Sequence, residues 1–386
     1  MRPKTFKGLP LRSPVGVAMP LQPCLLVPLE KVEAVWQSLV DLKALNANYV
    51  PERIGDRLAI PIHKEIELDG LDAICDEEHI EVEQAPPPID PHHRMQLTIQ
   101  SMVGFKDELL ASIPKKWERL NDLVLFQKDA FQESEWEQVL DQNNDFFHRI
   151  ADALNVKRIG RQQPISNDVM RSAQAELLHG SDGWVEVKDN GVFYGFDATK
   201  VMYSSGNVTE RRRMGAIHAD GETVIDAYAG IGYYTMQLLV HTNVKHIHAC
   251  EINPNSIKAL EWSSQRNEVE SRLTIHPQDN LITLEEMKGS ADRILLGYLP
   301  SSEATWRHAI QALKQSGGTL HIHMNVEEER IDEWIKQTIG KCLDYAQELG
   351  REWNVTANHL EKVKWYAPRV RHVVLDVSFS SINTAS

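Results

Sequence analysis

Thr223-Val-Ile-Asp226-Ala-Tyr-Ala-Gly230-Ile-Gly232-Tyr-Tyr-Thr235 is the stretch on which the fold of this chain turns. An apolar run stops at an acid, a small-residue turn with two glycines follows, and an amphipathic segment, Thr235-Met-Gln-Leu-Leu-Val240, resumes. That order reads as strand, tight loop and helix. Glycines at such a crossover let the backbone approach a ligand without a Cβ in the way, and the helix that follows presents free N–H groups. Roughly 20 residues further on, where a nucleotide-binding βαβ unit places its ribose acid, the apolar run His246-Ile-His-Ala-Cys250 ends in Glu251. Two strands each ending in an acid, with a glycine turn between them, are far more specific than a glycine pair alone. The third glycine of G-x-G-x-x-G is absent, since Tyr233 and Thr235 occupy its stretch, and this weakens a pyrophosphate reading.

Asp-x-x-x-Gly-x-Gly with an acid at the next strand end resembles class I S-adenosylmethionine enzymes, whose ligand has no phosphate and needs acids for its ribose and amine. The competing reading is a structural crossover with incidental glycines. From Gly221 strand and helix patterns alternate almost to the end, with strand runs at Thr223–Asp226, His246–Cys250, Leu273–Ile275, Arg293–Leu296, Thr319–Met324 and His372–Val377. The fold class this predicts is α/β, a class I methyltransferase-like Rossmann fold with a mostly parallel, doubly wound sheet, preceded by smaller α+β domains.

At 386 residues and 42% apolar content the chain supports two or three domains. The prolines of Ala85-Pro-Pro-Pro-Ile-Asp-Pro91 suit a linker, because they remove donors and fix the backbone. The expected partition is residues 1–90, α+β, with strands at Ser13–Met19, Cys24–Val27 and Arg57–Pro61 and a helix from Val32 to Leu42; residues 91–210, α+β; and residues 211–386, the catalytic domain. Within the second, Trp136, Val139, Leu140, Phe146, Phe147, Ile150 and Leu154 form a helical stripe. Trp184–Val187 and Val192–Phe196 flank Asp189-Asn-Gly191, a hairpin turn by composition.

No apolar stretch approaches the roughly 20 residues of a membrane span, and no convincing signal peptide opens the chain, so a soluble cytoplasmic protein is expected. Cys24, Cys75, Cys250 and Cys342 lack the spacing of a zinc site or a disulfide framework, and the 16 histidines lack ligand spacing, so no metal is expected. A net charge of −14 argues against indiscriminate nucleic-acid binding but leaves room for a local basic face. Candidates are Lys115-Lys116 with Arg119, Lys157-Arg158 with Arg161, Arg211-Arg212-Arg213, and Lys362, Lys364, Arg369 and Arg371. Nothing suggests an obligate assembly, and a monomer is expected.

Gly183-Trp-Val-Glu-Val, Phe196-Asp-Ala-Thr-Lys-Val-Met-Tyr-Ser204-Ser-Gly206-Asn207-Val-Thr-Glu210-Arg211, the glycine turn, Glu251-Ile-Asn-Pro, Asp279-Asn280, Asp292 to Ser302 and Tyr366-Ala-Pro together resemble the tRNA wybutosine-synthesizing protein 2 family. These aminocarboxypropyltransferases act beside the anticodon of phenylalanine tRNA. The sister tRNA guanine methyltransferases share the glycine turn but resemble Ser-Pro-Arg where this chain has Ser204-Ser-Gly206-Asn, and they carry Asn-x-Pro where it has Leu296-Gly-Tyr298-Leu-Pro300. A leucine cannot make the asparagine's hydrogen bonds.

The resemblance implies transfer of the 3-amino-3-carboxypropyl group of S-adenosyl-L-methionine, a co-substrate, to a tricyclic modified guanine in phenylalanine tRNA. It implies Glu251 on the ribose hydroxyls, Asp279 with Asn280 at the adenine amine, Gly230 in the cofactor turn, and Ser204 and Arg211 on the methionine arm, Arg211 at its carboxylate. Asp226 shapes the turn or meets the arm's ammonium; Asp279 and Asn280 are otherwise a plain turn, and Arg211 to Arg213 otherwise touch phosphates. Trp306, Tyr298 and Tyr366 are candidates for stacking on the acceptor, and no general base is identifiable. The competing functions are methyl transfer at the same purine and a non-catalytic tRNA-binding relative.

Overall fold

The structure is a computed structural model, and it describes residues 21–42, 44–46, 48–63, 76–82, 90–104, 107–163 and 175–382. Two compact units separate by contact density, Met1–Asp90 and Pro91–Ser386. In the first, β1 (Leu21–Pro28), β2 (Glu52–Ile54), β3 (Arg57–Pro61) and β4 (Asp76–Glu81) make an antiparallel sheet in the order β2-β3-β1-β4. Helix α1 (Val32–Asp41) buries Val35 and Leu39 in its core. The strand expected at Ser13–Met19 and most of the proline stretch lie outside the described residues. Pro91 opens α2, a position where a missing N–H costs nothing.

The second unit begins with α2 (Pro91–Val103), α3 (Asp107–Ala111), β5 (Trp117–Leu120), β6 (Leu123–Phe126), α4 (Ser134–Gln142), α5 (Phe146–Leu154), β7 (Arg158–Gln162) and β8 (Ala175–His179). The stripe from Trp136 to Leu154 is therefore two helices. Asn143 ends the first, its side chain donating to the Val139 carbonyl at 2.8 Å, and its own carbonyl accepts from Phe146 as the second begins. Strands β9 (Trp184–Asp189) and β10 (Val192–Asp197) form the expected hairpin, with Asn190 and Gly191 both at positive φ as a primed turn demands.

The remainder is α6 (Val208–Ala216), β11 (Thr223–Asp226), α7 (Thr235–His241), β12 (His246–Cys250), α8 (Pro254–Arg266), β13 (Leu273–His276), α9 (Asn280–Glu286), β14 (Arg293–Leu296), α10 (Glu303–Ala312), β15 (Gly317–Glu327), α11 (Ile331–Glu348), β16 (Trp353–Ala367) and β17 (Val370–Ser381). One seven-stranded sheet runs β13-β12-β11-β14-β15-β17-β16. Its first five strands are parallel, and β17 is antiparallel to both neighbours. Successive residues feed opposite faces, as the period of two requires. Val224, Ile247 and Leu295 join the core under α7 and α8, while Ile225, Cys250 and Ile294 join the core under α10 and α11. This is the doubly wound, class I Rossmann-like architecture. Residue 210, where the sequence placed a boundary, lies within α6 inside one compact unit, because the β9–β10 hairpin packs on α8.

Candidate functional site

The strand order reverses between β11 and β14, and in open α/β sheets the ligand crevice forms at the carboxyl ends of the strands at such a point. A pocket of about 410 Å³ lies there, lined among others by Tyr228, Gly230, Glu251, Asp279, Asn280 and Tyr298.

Asp226 ends β11 and is fully buried. It accepts a hydrogen bond from the Thr235 hydroxyl at 2.7 Å and from the Tyr228 N–H at 3.3 Å, and so closes the glycine loop from inside. Burial pushes its carboxyl up to about 6. Within the loop Gly230 and Gly232 have φ of +58° and +91°, a region that L side chains rarely enter. A Cβ on Gly232 would also stand 2.5 Å from Leu260 Cδ1, so its absence lets α8 approach.

Glu251, just past β12, gathers three backbone donors: Gly230 N–H at 2.8 Å on one oxygen, Ile252 at 2.8 Å and Asn253 at 2.7 Å on the other. Burial pushes its carboxyl up, opposed by those same donors. Asp279 caps α9 by accepting from Leu281 N–H at 2.8 Å, and Asn280 donates to the Ala227 carbonyl at 2.9 Å, tying the β13 end to the β11 end. Gly230, Glu251, Asp279 and Asn280 thus converge on one cavity.

Ser204, Arg211 and Asp226 do not line it. Arg211 is 1% exposed; its Nε donates to Asp189 at 2.5 Å and its Nη1 to the Ser204 carbonyl at 2.6 Å. It anchors the Ser204 loop from behind. Arg213 is likewise engaged, forked onto Glu210 and Asp376, and only Arg212 of that run is exposed. The arginines of two more of the expected basic faces are engaged as well, while Lys115, Lys116 and Lys157 stay exposed. Arg119 donates to three carbonyls, Arg158 pairs with Asp122 and Asp182, and Arg161 pairs with Glu176.

Trp306 is no stacking partner: it is 1% exposed in the core and donates to the Ser302 hydroxyl. Tyr298 does line the pocket, its ring stacked on Tyr228 at 5.0 Å. The pocket's apolar walls went unread in the sequence. Met202, Ile252 and Leu281 line it and are among the most exposed large apolar side chains of the unit. Ile252 and Leu281 each directly follow a polar residue of the site, which is the one signal that could have found them.

The histidines sit as alternating strand residues, His246 and His248 on β12 and His321 and His323 on β15. Among the described residues no group of three or more His, Cys, Asp or Glu could hold a metal, and no helix is long and apolar enough to cross a membrane.

The TRM5/TYW2 methyltransferase domain family matches residues 185–352, and the TYW2 N-terminal domain family matches residues 102–183. A tRNA wybutosine-synthesizing protein 2 homolog of Danio rerio is 33% identical over 93% of this chain and 99% of its own. The tRNA wybutosine-synthesizing protein 2/3/4 of Arabidopsis thaliana is 42% identical over 74% of this chain, which spans only 29% of that longer protein. Among solved structures, P. horikoshii TYW2 in complex with MeSAdo superposes with a TM-score of 0.60 and 29% identity over 75% of this chain and 99% of its own. Alignment over nearly the whole length of the Danio rerio protein, and matches to both domain families in sequence order, place the chain in the tRNA wybutosine-synthesizing protein 2 family.

Proposed function

We propose that this chain transfers the 3-amino-3-carboxypropyl group of S-adenosylmethionine to the tricyclic modified guanine beside the anticodon of phenylalanine tRNA, in the cytoplasm. The observation that carries the choice of group is the end of β14. Leu296 is buried, Gly297 has no side chain, and Tyr298 stacks on Tyr228, so this loop brings no side-chain amide into the pocket to hold a ring nitrogen for methylation.

The residues fit the co-substrate. The Glu251 carboxylate has room for about four hydrogen bonds and spends three on the backbone, which leaves an acceptor for the ribose hydroxyls. Asp279 uses one oxygen to cap α9 and presents the other for the adenine amine. Ile252 and Leu281 supply apolar walls for the adenine faces, and Gly230 lets the ligand approach the backbone. S-adenosylmethionine supplies a sulfonium whose arm carbon is open to in-line displacement. The acceptor carbon bonds to that carbon, the C–S bond breaks, methylthioadenosine leaves, and the acceptor carbon loses its proton. The protein's part is to hold the arm, rather than the methyl, toward the acceptor, and positioning of this kind is worth roughly 7–11 kcal/mol. Arg211 contributes by fixing the backbone at Ser204 beside Met202 and Tyr203, whose ring lies under its guanidinium at 5.2 Å.

Incubation with precursor tRNA and S-adenosylmethionine labelled on either the carboxyl or the methyl carbon tests the reading. Label is expected in the tRNA from the carboxyl only, with methylthioadenosine as co-product. Methyl label in the tRNA, with S-adenosylhomocysteine released, overturns it.

A further inference from the structure

The turn between β16 and β17 lies just beyond the C-terminal end of β15, where Glu327 pairs with Val370, and so on the sheet edge that carries the pocket. Trp365 and Tyr366 at this tip are 53% and 59% exposed, the two most exposed aromatic rings among the described large hydrophobics of the chain. Neither is a loose surface residue. The Arg371 guanidinium sits 3.6 Å from the Trp365 ring centroid and is itself fixed by Glu328, to which its Nε donates at 2.8 Å. One ring face is thereby backed by a cation and held, while about half of the residue's surface stays open to solvent. The β16–β17 register slips between Trp365 and Ala367, so Tyr366 is the extra residue of a bulge, a device that re-aims a side chain out of the ladder.

Charge points the same way. In a chain of net −14, most of the arginines that looked like a basic face are engaged internally. At this tip the side chains of Lys364 and Arg369 have no hydrogen-bond or ion-pair partner among the described residues. Lys364 Nζ reaches back to within 3.0 Å of where a Gly206 Cβ would stand, beside the Ser204–Asn207 loop. Solvent-facing rings with an exposed, unpaired Arg369 beside them, and a half-buried Lys364 on the side of the Ser204–Asn207 loop, are what single-stranded nucleic acid takes up: bases stack on the rings and phosphates meet the cations.

We infer that the β16–β17 tip is a stacking platform for unpaired bases of the RNA substrate next to the acceptor, with Trp365 and Tyr366 as the platform and Lys364 and Arg369 on the phosphates. This deepens the proposed function and rests on its RNA acceptor.

Two probes test it with the full chain: a stem-loop RNA with an unpaired loop, and a blunt duplex of the same stem. Trp365→Ala and Tyr366→Ala are each expected to weaken stem-loop binding by roughly fivefold to a hundredfold, leaving duplex affinity and methylthioadenosine affinity at wild-type values. Trp365→Phe should keep most of the stem-loop affinity. Arg369→Ala should make the salt dependence shallower by about one unit of slope. Wild-type stem-loop affinity in both alanine variants overturns the platform, as do equal losses on stem-loop and duplex. A concentration-dependent dimer that Trp365→Ala abolishes would reassign the surface to self-association. If the wild type consumes precursor RNA while the variants match it, the platform alone falls; if the wild type binds neither RNA, the RNA acceptor falls with it.

Discussion

Asp226 shows how a single carboxyl can be read for its chemistry and still surprise by its location. The sequence placed it at a strand end facing a ligand or a turn; the structure puts it wholly inside, bonded to Tyr228 and Thr235. Its folded pKa, about 6 against the ordinary 3.8, is raised by burial. Between those values the unfolded chain has released the proton and the folded chain has not, so the folded state binds more protons and stability falls as pH rises. Below about pH 4 the term is fully present, and above the folded pKa it is gone. At 1.36 kcal/mol per unit the loss is up to about 3 kcal/mol. Asp226→Asn, which keeps an acceptor for Thr235, is expected to gain that much on the wild type between pH 4 and pH 7 in urea titrations. Parallel stability profiles would show that the carboxyl is not desolvated. Arg211 teaches the converse lesson. Its partner Asp189 is 22 positions away and Arg213's partner Asp376 is 163 away, and a run of three arginines carries no mark of which carboxylates will face it.

Elements were legible where one face is buried and illegible where neither is. Strands β11, β12 and β14 announced themselves because parallel strands covered on both faces read as apolar runs. Strand β16 escaped notice: of its 15 residues only Trp353 and Val363 are buried, and three register slips interrupt whatever alternation remained. The β9–β10 hairpin was legible from Asn190-Gly191, but its attachment was not. Gly195 on β10 lies under Trp262 of α8, and a Cβ there would stand 2.3 Å from the ring. That contact fixes β10, and with it the Val201–Met202 wall that follows, against the helix that begins behind Glu251. Gly195→Ala is expected to destabilise the protein by roughly 1–3 kcal/mol, and a smaller residue at Trp262 should recover part of it in the double mutant. A Gly195→Ala protein as stable as wild type would mean that Trp262 does not hold the hairpin.

At the scale of the molecule, the apolar clusters of residues 24–82 and those of residues 95–379 have no member in common among the described residues. Every residue lining the pocket lies within Pro91–Ser386. A chain beginning at Pro91 is therefore expected to fold and to bind methylthioadenosine with full-length affinity by calorimetry; aggregation or lost binding would show that the first unit completes the second. The class of fold and the polar side of the pocket could be inferred from the glycine turn and the acids around it, and its apolar walls could not. Which arginines remain free could not, since that depends on long-range pairing.

Strand β17 follows β16 in the chain yet lies between β16 and β15, so that Gly317 meets Ser380 and Trp353 meets Ser381. While the polypeptide is being made, β15 therefore emerges with one edge and β16 with both edges unanswered, each a template for a neighbouring nascent chain. The sheet closes only when the second strand of the β16–β17 hairpin docks on β15, where Gly317 must find Ser380, a non-local step of the kind that slows folding. The interval from Gly317 to Ser381 is thus the most vulnerable of this chain on the ribosome, and a chain released before residue 370 would leave one edge of β15 and both edges of β16 open.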